Sequence, residues 1–266
     1  MSKLTVPLKE ETIIELKSNF PIDPSFERIS LPRLAFKSQD MTEGKGKQMK
    51  VVQEAGTFIT ERQSKEIDEE TGKPVWEKTE IGKEVEGVIV YQRKQLSFYD
   101  ESNETYTSSP IYDTDDQIIP LWCNGAEIDR GTPKELKARP EYAATTLKGK
   151  PSSKLKDNRI LYVLIDGELF QLNIHGSSMY AYMTYARTAR PAVPAVLTTF
   201  NSEAKENGSI SWNQMTFVVK RTLTNNEAEI VREKQKELID AVTAEKEFFS
   251  GQKEEVNPLL AEFNSK

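Results

Sequence analysis

Histidine and cysteine are almost absent from this chain, which holds one of each, His175 and Cys123, among 266 residues. A single cysteine excludes a disulfide framework and a cysteine-rich zinc site within one chain. The sequence also lacks a Rossmann glycine motif, a P-loop and a G-x-S-x-G elbow. We expect His175 to cap a helix or to pack in the core. We therefore predict a protein that is not an enzyme, without catalytic residues, bound metal or cofactor.

Long apolar runs and a basic net charge are missing as well. No run approaches the roughly 18 residues of a membrane helix, and residues 1–10 lack the apolar core of a secretory signal. We therefore expect a cytoplasmic protein that does not contact a membrane. The net charge of −6 gives no general attraction to nucleic acid, so binding of a polyanion would require a local basic patch.

Signals for β-structure are what the sequence has in quantity, and the clearest lies at residues 160–174. Two apolar segments meet there at Asp166-Gly167, the dipeptide that favours a tight type I′ hairpin turn. Gly176 then ends the second strand. Either Ser177 or Ser178 is expected to cap the helix that follows, over residues 177–188.

A second long β signal covers residues 85–99. Val88 and Leu96 have the same parity and predict a buried face, because successive side chains of a strand point to opposite sides. Tyr91 and Arg93 fall on the other parity, which predicts a wetter face.

Two further strands are expected at residues 193–201 and 211–221. After them, Thr224 and Glu227 have the spacing of a capping box, in which each side chain satisfies the backbone N–H of the other. This pair predicts the start of a long helix over residues 225–249.

Placed in order, the predicted elements are three strands, a helix and two more strands. The OB-fold, a five-stranded Greek-key barrel, has this succession. We therefore predict a mainly β protein with helices (α+β) whose core is an OB-like five-stranded barrel over residues 85–222. An N-terminal extension, 1–84, would pack on the barrel, and a long insertion, 100–158, would separate its first two strands. The C-terminal helix and tail, 223–266, would pack on the barrel or pair with another chain, which leaves a homo-oligomer open.

Four pieces of the chain carry a family resemblance, and together they span most of residues 31–220. They are Leu31-Pro32-Arg33-Leu34, Gly56-Thr57-Phe58, Tyr91-Gln92-Arg93-Lys94 and the segment from Asp166 to Ser178. In pattern and order they resemble single-stranded-DNA-binding proteins of tailed phages. The resemblance implies binding of single-stranded DNA without strong sequence preference, in phage-type replication or recombination, in the host cytoplasm. Two alternatives remain, a virion structural or assembly protein and a metal-dependent nuclease. The nuclease stays open because the sequence alone does not show whether a carboxylate metal site exists.

Binding of a single strand needs a basic track for the phosphates and aromatic rings for the bases. Tyr91 and Arg93 share a predicted strand face, which makes them the best pair for these two contacts. Residues 148–159 are the most basic segment and are expected to form a mobile loop. The three tyrosines of the helix 177–188 cannot all share one face, so at least one should face solvent. The predicted contact residues are Tyr91, Arg93, Lys94, Lys148, Lys150, Lys154, Lys156, Tyr180, Tyr182, Arg187, Arg190 and Lys220.

Overall fold

The structure is a computed structural model, and it describes residues 31–43, 50–67, 74–146, 149–208 and 210–251. Its contacts divide the chain into two units. The first unit, Leu31–Lys236, holds all the described strands, and the second is formed by Met1–Ser30 together with Glu237–Lys266. Of the second unit, only the helical residues 237–251 are described. The predicted divisions after residues 84 and 222 do not coincide with these boundaries.

Strand is the main structure of the described residues, which confirms the predicted class of a mainly β protein with a few helices. The strands are β1 (Arg33–Phe36), β2 (Met41–Glu43), β3 (Lys50–Gln53), β4 (Phe58–Ile67), β5 (Pro74–Gly82), β6 (Glu84–Asp100), β7 (Thr105–Ser108), β8 (Ile119–Cys123), β9 (Ala126–Gly131), β10 (Ala143–Thr145), β11 (Pro151–Ser153), β12 (Lys156–Ile165), β13 (Glu168–Ile174), β14 (Val196–Asn207) and β15 (Ile210–Thr222). The α-helices are α1 (Pro133–Ala138), α2 (Gly176–Thr188) and α3 (Asn225–Gly251).

Eleven of these strands form one sheet, in the order β5-β4-β1-β13-β12-β6-β7-β8-β9, with β14 paired to β6 and β15 paired to β14. Strands β2 and β3, and likewise β10 and β11, form two separate ribbons. The five predicted strands are all present in the predicted order, with α2 between the third and the fourth. They do not close into a five-stranded barrel, because β13 pairs with β1 in parallel and the sheet continues beyond it.

The central hairpin forms as the sequence predicts. Strands β12 and β13 stay paired up to Ile165 and Glu168. The turn residues Asp166 and Gly167 have φ angles of 49° and 84°. Positive φ at both central residues is what a type I′ turn requires, and this explains why Asp-Gly stands there.

Strand β6, 17 residues long, connects the parts of the sheet because it changes partner along its length. Up to Gly87 it pairs with β14, from Val88 onward with β12, and at its end with β7. The register against β12 shifts between Ile89 and Tyr91, which makes Val90 the extra residue of a β-bulge. The bulge reverses the inward and outward alternation of the residues that follow it.

The predicted caps of α2 are wrong. The helix begins one residue earlier, with His175 at the N-cap position. The side chain of His175 is exposed and forms no capping hydrogen bond, so it has neither expected role. The hydroxyls of Ser177 and Ser178 instead accept hydrogen bonds from Trp212 Nε1 at 3.1 Å and from the Met215 backbone N–H at 3.0 Å. These bonds fix the start of α2 against β15.

Other boundaries also differ from the prediction. Residues 148–159, expected to be a mobile loop, contain β11 and the first residues of β12. Strand β14 continues to Asn207, because its pairing with β15 extends to the tip of that hairpin. The capping box of α3 is confirmed: the backbone N–H of Thr224 donates to Glu227 Oε2 at 2.8 Å, and Thr224 Oγ1 accepts from the backbone N–H of Glu227 at 3.4 Å.

Two hydrophobic clusters hold α1 and α2 on the same face of β6 and β12. In one cluster Leu161 of β12 packs with Tyr182 of α2, and in the other Leu96 of β6 packs with Leu136 of α1. Leu161 lies opposite Gln92, which has the same parity as Leu96, so both clusters lie on one side of the sheet. A groove therefore runs between the two helices, with β6 and β12 as its floor.

Gly87 stands where β6 changes partner, and we predict that Gly87→Ala destabilises the fold. A Cβ there would lie 2.7 Å from Val163 Cγ1 and 2.9 Å from the Leu164 carbonyl oxygen. Overpacking of this kind costs about 1–3 kcal/mol in the free energy of unfolding, measured by urea denaturation. The matched control is Gly131→Ala, where the Cβ would first meet the flexible end of Arg139 at 3.2 Å. Equal losses in the two variants would contradict the explanation.

Candidate functional site

The groove between α1 and α2 contains two neighbouring cavities of about 350 and 550 Å³. Both cavities are lined by Lys94, Arg159 and Met183, so they form one continuous depression. We call it the cationic groove, because its charged lining has five basic residues and three acidic ones. These are Lys94, Lys134, Lys137, Arg159, Arg187, Asp113, Asp115 and Asp157.

The floor of the cationic groove places two positive charges side by side. Arg159 of β12 lies directly opposite Lys94 of β6 in the ladder. Like charges in this position repel, so the pair is unfavourable unless an anion is near. Asp115 supplies one, with Oδ2 at 2.6 Å from Lys94 Nζ. The Nε of Arg159 is buried and has no hydrogen-bond partner in the described part of the chain, which leaves a donor of the floor unused.

Tyr112 lies beneath these charges. Its side chain is fully buried, and its hydroxyl has no hydrogen-bond partner among the described residues. Burial raises the pKa of this phenol far above its usual value, and the negative charges of Asp157 and Asp115 raise it further, while Arg159 opposes them. The hydroxyl therefore stays protonated as a buried, neutral group below the groove floor.

Helix α1 forms one wall of the groove. It is started by a capping box, in which the backbone N–H of Thr132 donates to Glu135 Oε2 at 2.9 Å and Thr132 Oγ1 accepts from the Glu135 N–H at 3.3 Å. Lys137 Nζ lies 2.9 Å from both carboxylate oxygens of Asp157. Lys134 is exposed and forms no ion pair in the described ranges, so its charge is available to a ligand.

Helix α2 forms the other wall. Met183 lines both cavities and Arg187 lines the smaller one. Tyr180 precedes Arg187 by seven residues, about two turns, so it lies on nearly the same side of the helix. Its side chain is 71% exposed, which confirms that at least one tyrosine of this helix faces solvent. An accessible ring therefore stands on the same side of α2 as a groove cation.

Arg93 is not on a wet face, and its prediction as a phosphate contact is wrong. The bulge at Val90 turns Arg93 to the side of the sheet away from α2, where it is 4% exposed. Its Nε lies 3.0 Å from Asp113 Oδ1, and its Nη2 donates to the Ile111 carbonyl at 3.1 Å. The guanidinium is thus a structural group.

Two of the predicted tyrosines are also unsuited to stacking on bases. Tyr182 is 2% exposed, and its hydroxyl donates to Gln92 Oε1 at 2.9 Å. Burial raises the pKa of Tyr182 to about 12. Tyr91 is half-buried, with its ring centroid 6.2 Å from that of Tyr162 and its hydroxyl 3.4 Å from Asp113 Oδ1. Both rings belong to the packing of the sheet.

The remaining predicted cations are scattered. Lys94 and Arg187 meet in the cationic groove, whereas the others do not line it. Three lie near the β10–β11 ribbon, where all are exposed: Lys150, Lys154 and Lys156. Lys148 lies outside the described residues. Arg190 is exposed beyond the end of α2, and Lys220 of β15 is paired with Glu86.

Three groove cations were missed among the predicted contacts, namely Lys134, Lys137 and Arg159. Arg159 belongs to the basic segment 148–159, so its charge was visible but its position opposite Lys94 was not. The lysines of α1 follow a helix-capping signal, but nothing local indicates that this helix faces α2. Only the long-range pairing of β6 with β12 brings these residues together.

Comparison of the chain with protein-family models, with curated proteins and with solved structures gives no match. The resemblance to phage single-stranded-DNA-binding proteins therefore stays a prediction. In the described ranges, no three Asp, Glu, His or Cys side chains lie close enough to hold a metal ion. No helix in the same ranges is both long enough and apolar enough to cross a membrane.

We predict that Arg93→Met destabilises the protein by about 3 kcal/mol, because it leaves the Asp113 carboxylate without its buried partner. The control is Arg62→Met. Arg62 pairs with Glu168 at 2.5 Å, but the two side chains are 46% and 45% exposed. Loss of such an exposed pair should cost less than about 1 kcal/mol. Urea denaturation measures both values, and a small loss for Arg93→Met would contradict its structural role.

Proposed function

We propose that the protein binds single-stranded DNA without strong sequence preference, in phage-type replication or recombination, and that the cationic groove receives the phosphates. The main support is the Lys94–Arg159 pair, two cations held opposite each other, for which Asp115 supplies the one carboxylate at hydrogen-bond distance among the described residues. A phosphate oxygen between them would relieve their repulsion through charge-assisted contacts. The molecule has a net charge of −6, so this local concentration of positive charge is what would attract a polyanion.

A place for a base lies on helix α2, outside the groove lining itself. Tyr180 is exposed on the side of α2 that carries Arg187. A base stacked on this ring would have its phosphate within the reach of the groove cations. Stacking of this kind contributes about 1–3 kcal/mol per base and tolerates any sequence, because every base has a flat π-face. This supports binding without sequence preference.

We also propose that the sheet contains an OB-like core to which further strands are added. The support is that β6 pairs with both β12 and β14, as the first strand of such a barrel does, with α2 between the two hairpins. Strand β1 lies beside β13, and the chain after it accepts a hydrogen bond of 2.8 Å at Ser38 from Asn213 of β15. The N-terminal strand would thus stand between the third and fifth barrel strands.

We predict that the double variant Lys134→Ser/Arg187→Ser weakens binding of a fluorescein-labelled oligo-dT about tenfold or more at low salt. Both side chains are exposed and form no ion pair in the described ranges, so the fold should tolerate their loss. Each lost phosphate contact should lower the slope of log affinity against log salt by about 0.7 for a single strand. Fluorescence anisotropy across a salt series measures both quantities.

The control for that variant is Lys78→Ser/Lys83→Ser. It also removes two positive charges, but from exposed lysines that are not part of the groove. If both double variants weaken binding equally, the effect is one of net charge, and the groove is not the phosphate site. If the unaltered protein does not bind oligo-dT at low salt, the proposed function is wrong.

We further predict that Asp115→Asn strengthens binding of oligo-dT. The Asp115 carboxylate occupies Lys94, so a phosphate must displace it. Because the Asp115 side chain is 66% exposed, the pair contributes at most about 1 kcal/mol, and its removal should raise the affinity up to roughly fivefold. Asp116→Asn makes the same change of charge at an exposed neighbour outside the groove lining. An equal gain in both variants would mean that Lys94 is not involved.

A further inference from the structure

Three large aromatic side chains are exposed on one face of the sheet. Tyr99, Tyr106 and Trp122 are 54%, 53% and 40% exposed. Tyr99 of β6 lies opposite Tyr106 of β7, and Ser108 of β7 lies opposite Trp122 of β8. Opposite residues of an antiparallel pair point to the same side, as do residues two apart in one strand. The rings therefore form a diagonal row across three neighbouring strands, which we call the aromatic face.

The aromatic face is separate from the cationic groove. Lys94 and Tyr99 have opposite parity in β6, and the pairing of this part of the strand with β12 and β7 shows no register shift. The rings therefore point to the side of the sheet away from the groove. A ligand on this face does not compete with one between α1 and α2.

The charge around the aromatic face indicates what it binds. Residues 95–129 contain all three rings, eight acidic residues and no lysine or arginine. Four of the acids are paired with basic residues outside this range, namely Asp113, Asp115, Glu127 and Asp129. At the hairpin tip beside Tyr99 and Tyr106, the carboxylates of Asp100, Glu101 and Glu104 form no ion pair in the described ranges. Such a field repels the phosphates of a nucleic acid and attracts a cation.

One tip carboxylate, that of Asp100, is held in its charged form by hydrogen bonds. The Asp100 side chain accepts hydrogen bonds from Ser102 Oγ at 2.6 Å and from Asn103 Nδ2 at 3.0 Å. These bonds hold the pKa of Asp100 below its usual value. Lys156, which lies opposite Ser97, is an exposed cation next to the aromatic face. This one positive charge is outnumbered by the carboxylates at the hairpin tip, so the surface around the rings stays acidic.

We propose that the aromatic face docks a positively charged segment of a partner protein, one that presents arginine and lysine side chains to the rings and to the carboxylates at the hairpin tip. A guanidinium group stacks on the faces of Tyr and Trp by cation–π attraction. The free carboxylates steer the segment and give it a second set of contacts. The row of rings supplies the apolar area that a purely charged surface would lack.

The proposal is tested with a fluorescein-labelled nona-arginine peptide as the probe, by fluorescence anisotropy. We expect the unaltered protein to bind it and Tyr106→Ser/Trp122→Ser to lose at least about fivefold in affinity through the lost cation–π contacts. That variant changes no charge, so the loss reports the rings. Ile67→Ser/Ile210→Ser is the matched control, since these two side chains are 64% and 62% exposed but lie elsewhere. It should bind the probe as the unaltered protein does.

A second pair of variants tests the charge. Glu101→Gln/Glu104→Gln should lower the affinity about threefold and weaken its salt dependence. The control Glu229→Gln/Glu233→Gln removes two exposed carboxylates of α3 and should change neither. Equal loss in these two variants would show that the probe responds to net charge only, which overturns the proposal.

Other outcomes also overturn it. The unaltered protein and Tyr106→Ser/Trp122→Ser could bind the peptide equally. The ring variant could instead lose affinity for oligo-dT, which would make this face a nucleic-acid surface. It could lose self-association in size-exclusion chromatography without any change in peptide binding, which would make the occupant a second copy of the chain. Because the groove variants should keep peptide binding, failure here is distinguishable from failure of the proposed function.

Discussion

The β-bulge at Val90 decides which side chains of β6 meet the protein interior and which meet the cationic groove. Before it, Ile89 points to the side of α2; after it, Lys94 and Leu96 do. With no extra residue the alternation would continue unbroken, and Arg93 would point to α2 in place of Lys94. Leu96 would then leave the cluster under α1. One inserted residue thus fixes both the packing of the two helices and the charges between them.

Signals that act over a few residues were readable from the sequence. The hairpin turn depends only on the φ angles of Asp166 and Gly167. The helix start at Thr224 depends only on the capping box that this residue forms with Glu227. In the structure, a hydrogen bond from Arg221 and those from Thr224 lower the pKa of Glu227 to about 2, so this cap is charged at neutral pH. Long-range pairing was not readable. The parallel contact of β1 with β13 joins parts of the chain that no turn connects, and it prevents the predicted five-stranded closure.

The structure brings only some of the predicted contact residues together, for the same reason. Lys94 and Arg187 were chosen for their charge and lie in the groove, whereas Arg93 was chosen by alternation along a strand whose bulge carries no clear sequence signal. Gly82 and Gly87 allow a bend in this region, but the extra residue is a valine. Arg159 joins the groove lining only through its position opposite Lys94. Charge can be read from one sequence, but which cations face each other depends on strand register.

The acidic segment after β7 contacts β6 on both faces of the sheet. One of its carboxylates therefore lies in the groove, while a second anchors the segment on the other face, so the groove stays open. Asp113 binds the buried Arg93 on one face, and Asp115 binds Lys94 on the other. Tyr112 and Lys94 also exchange two backbone hydrogen bonds of 2.8 Å. Under the proposed function, a phosphate that takes Lys94 from Asp115 would break only the exposed pair, worth at most about 1 kcal/mol. The segment would stay anchored by Asp113, so a polyanion that contacts several cations at once would gain more than this exchange costs.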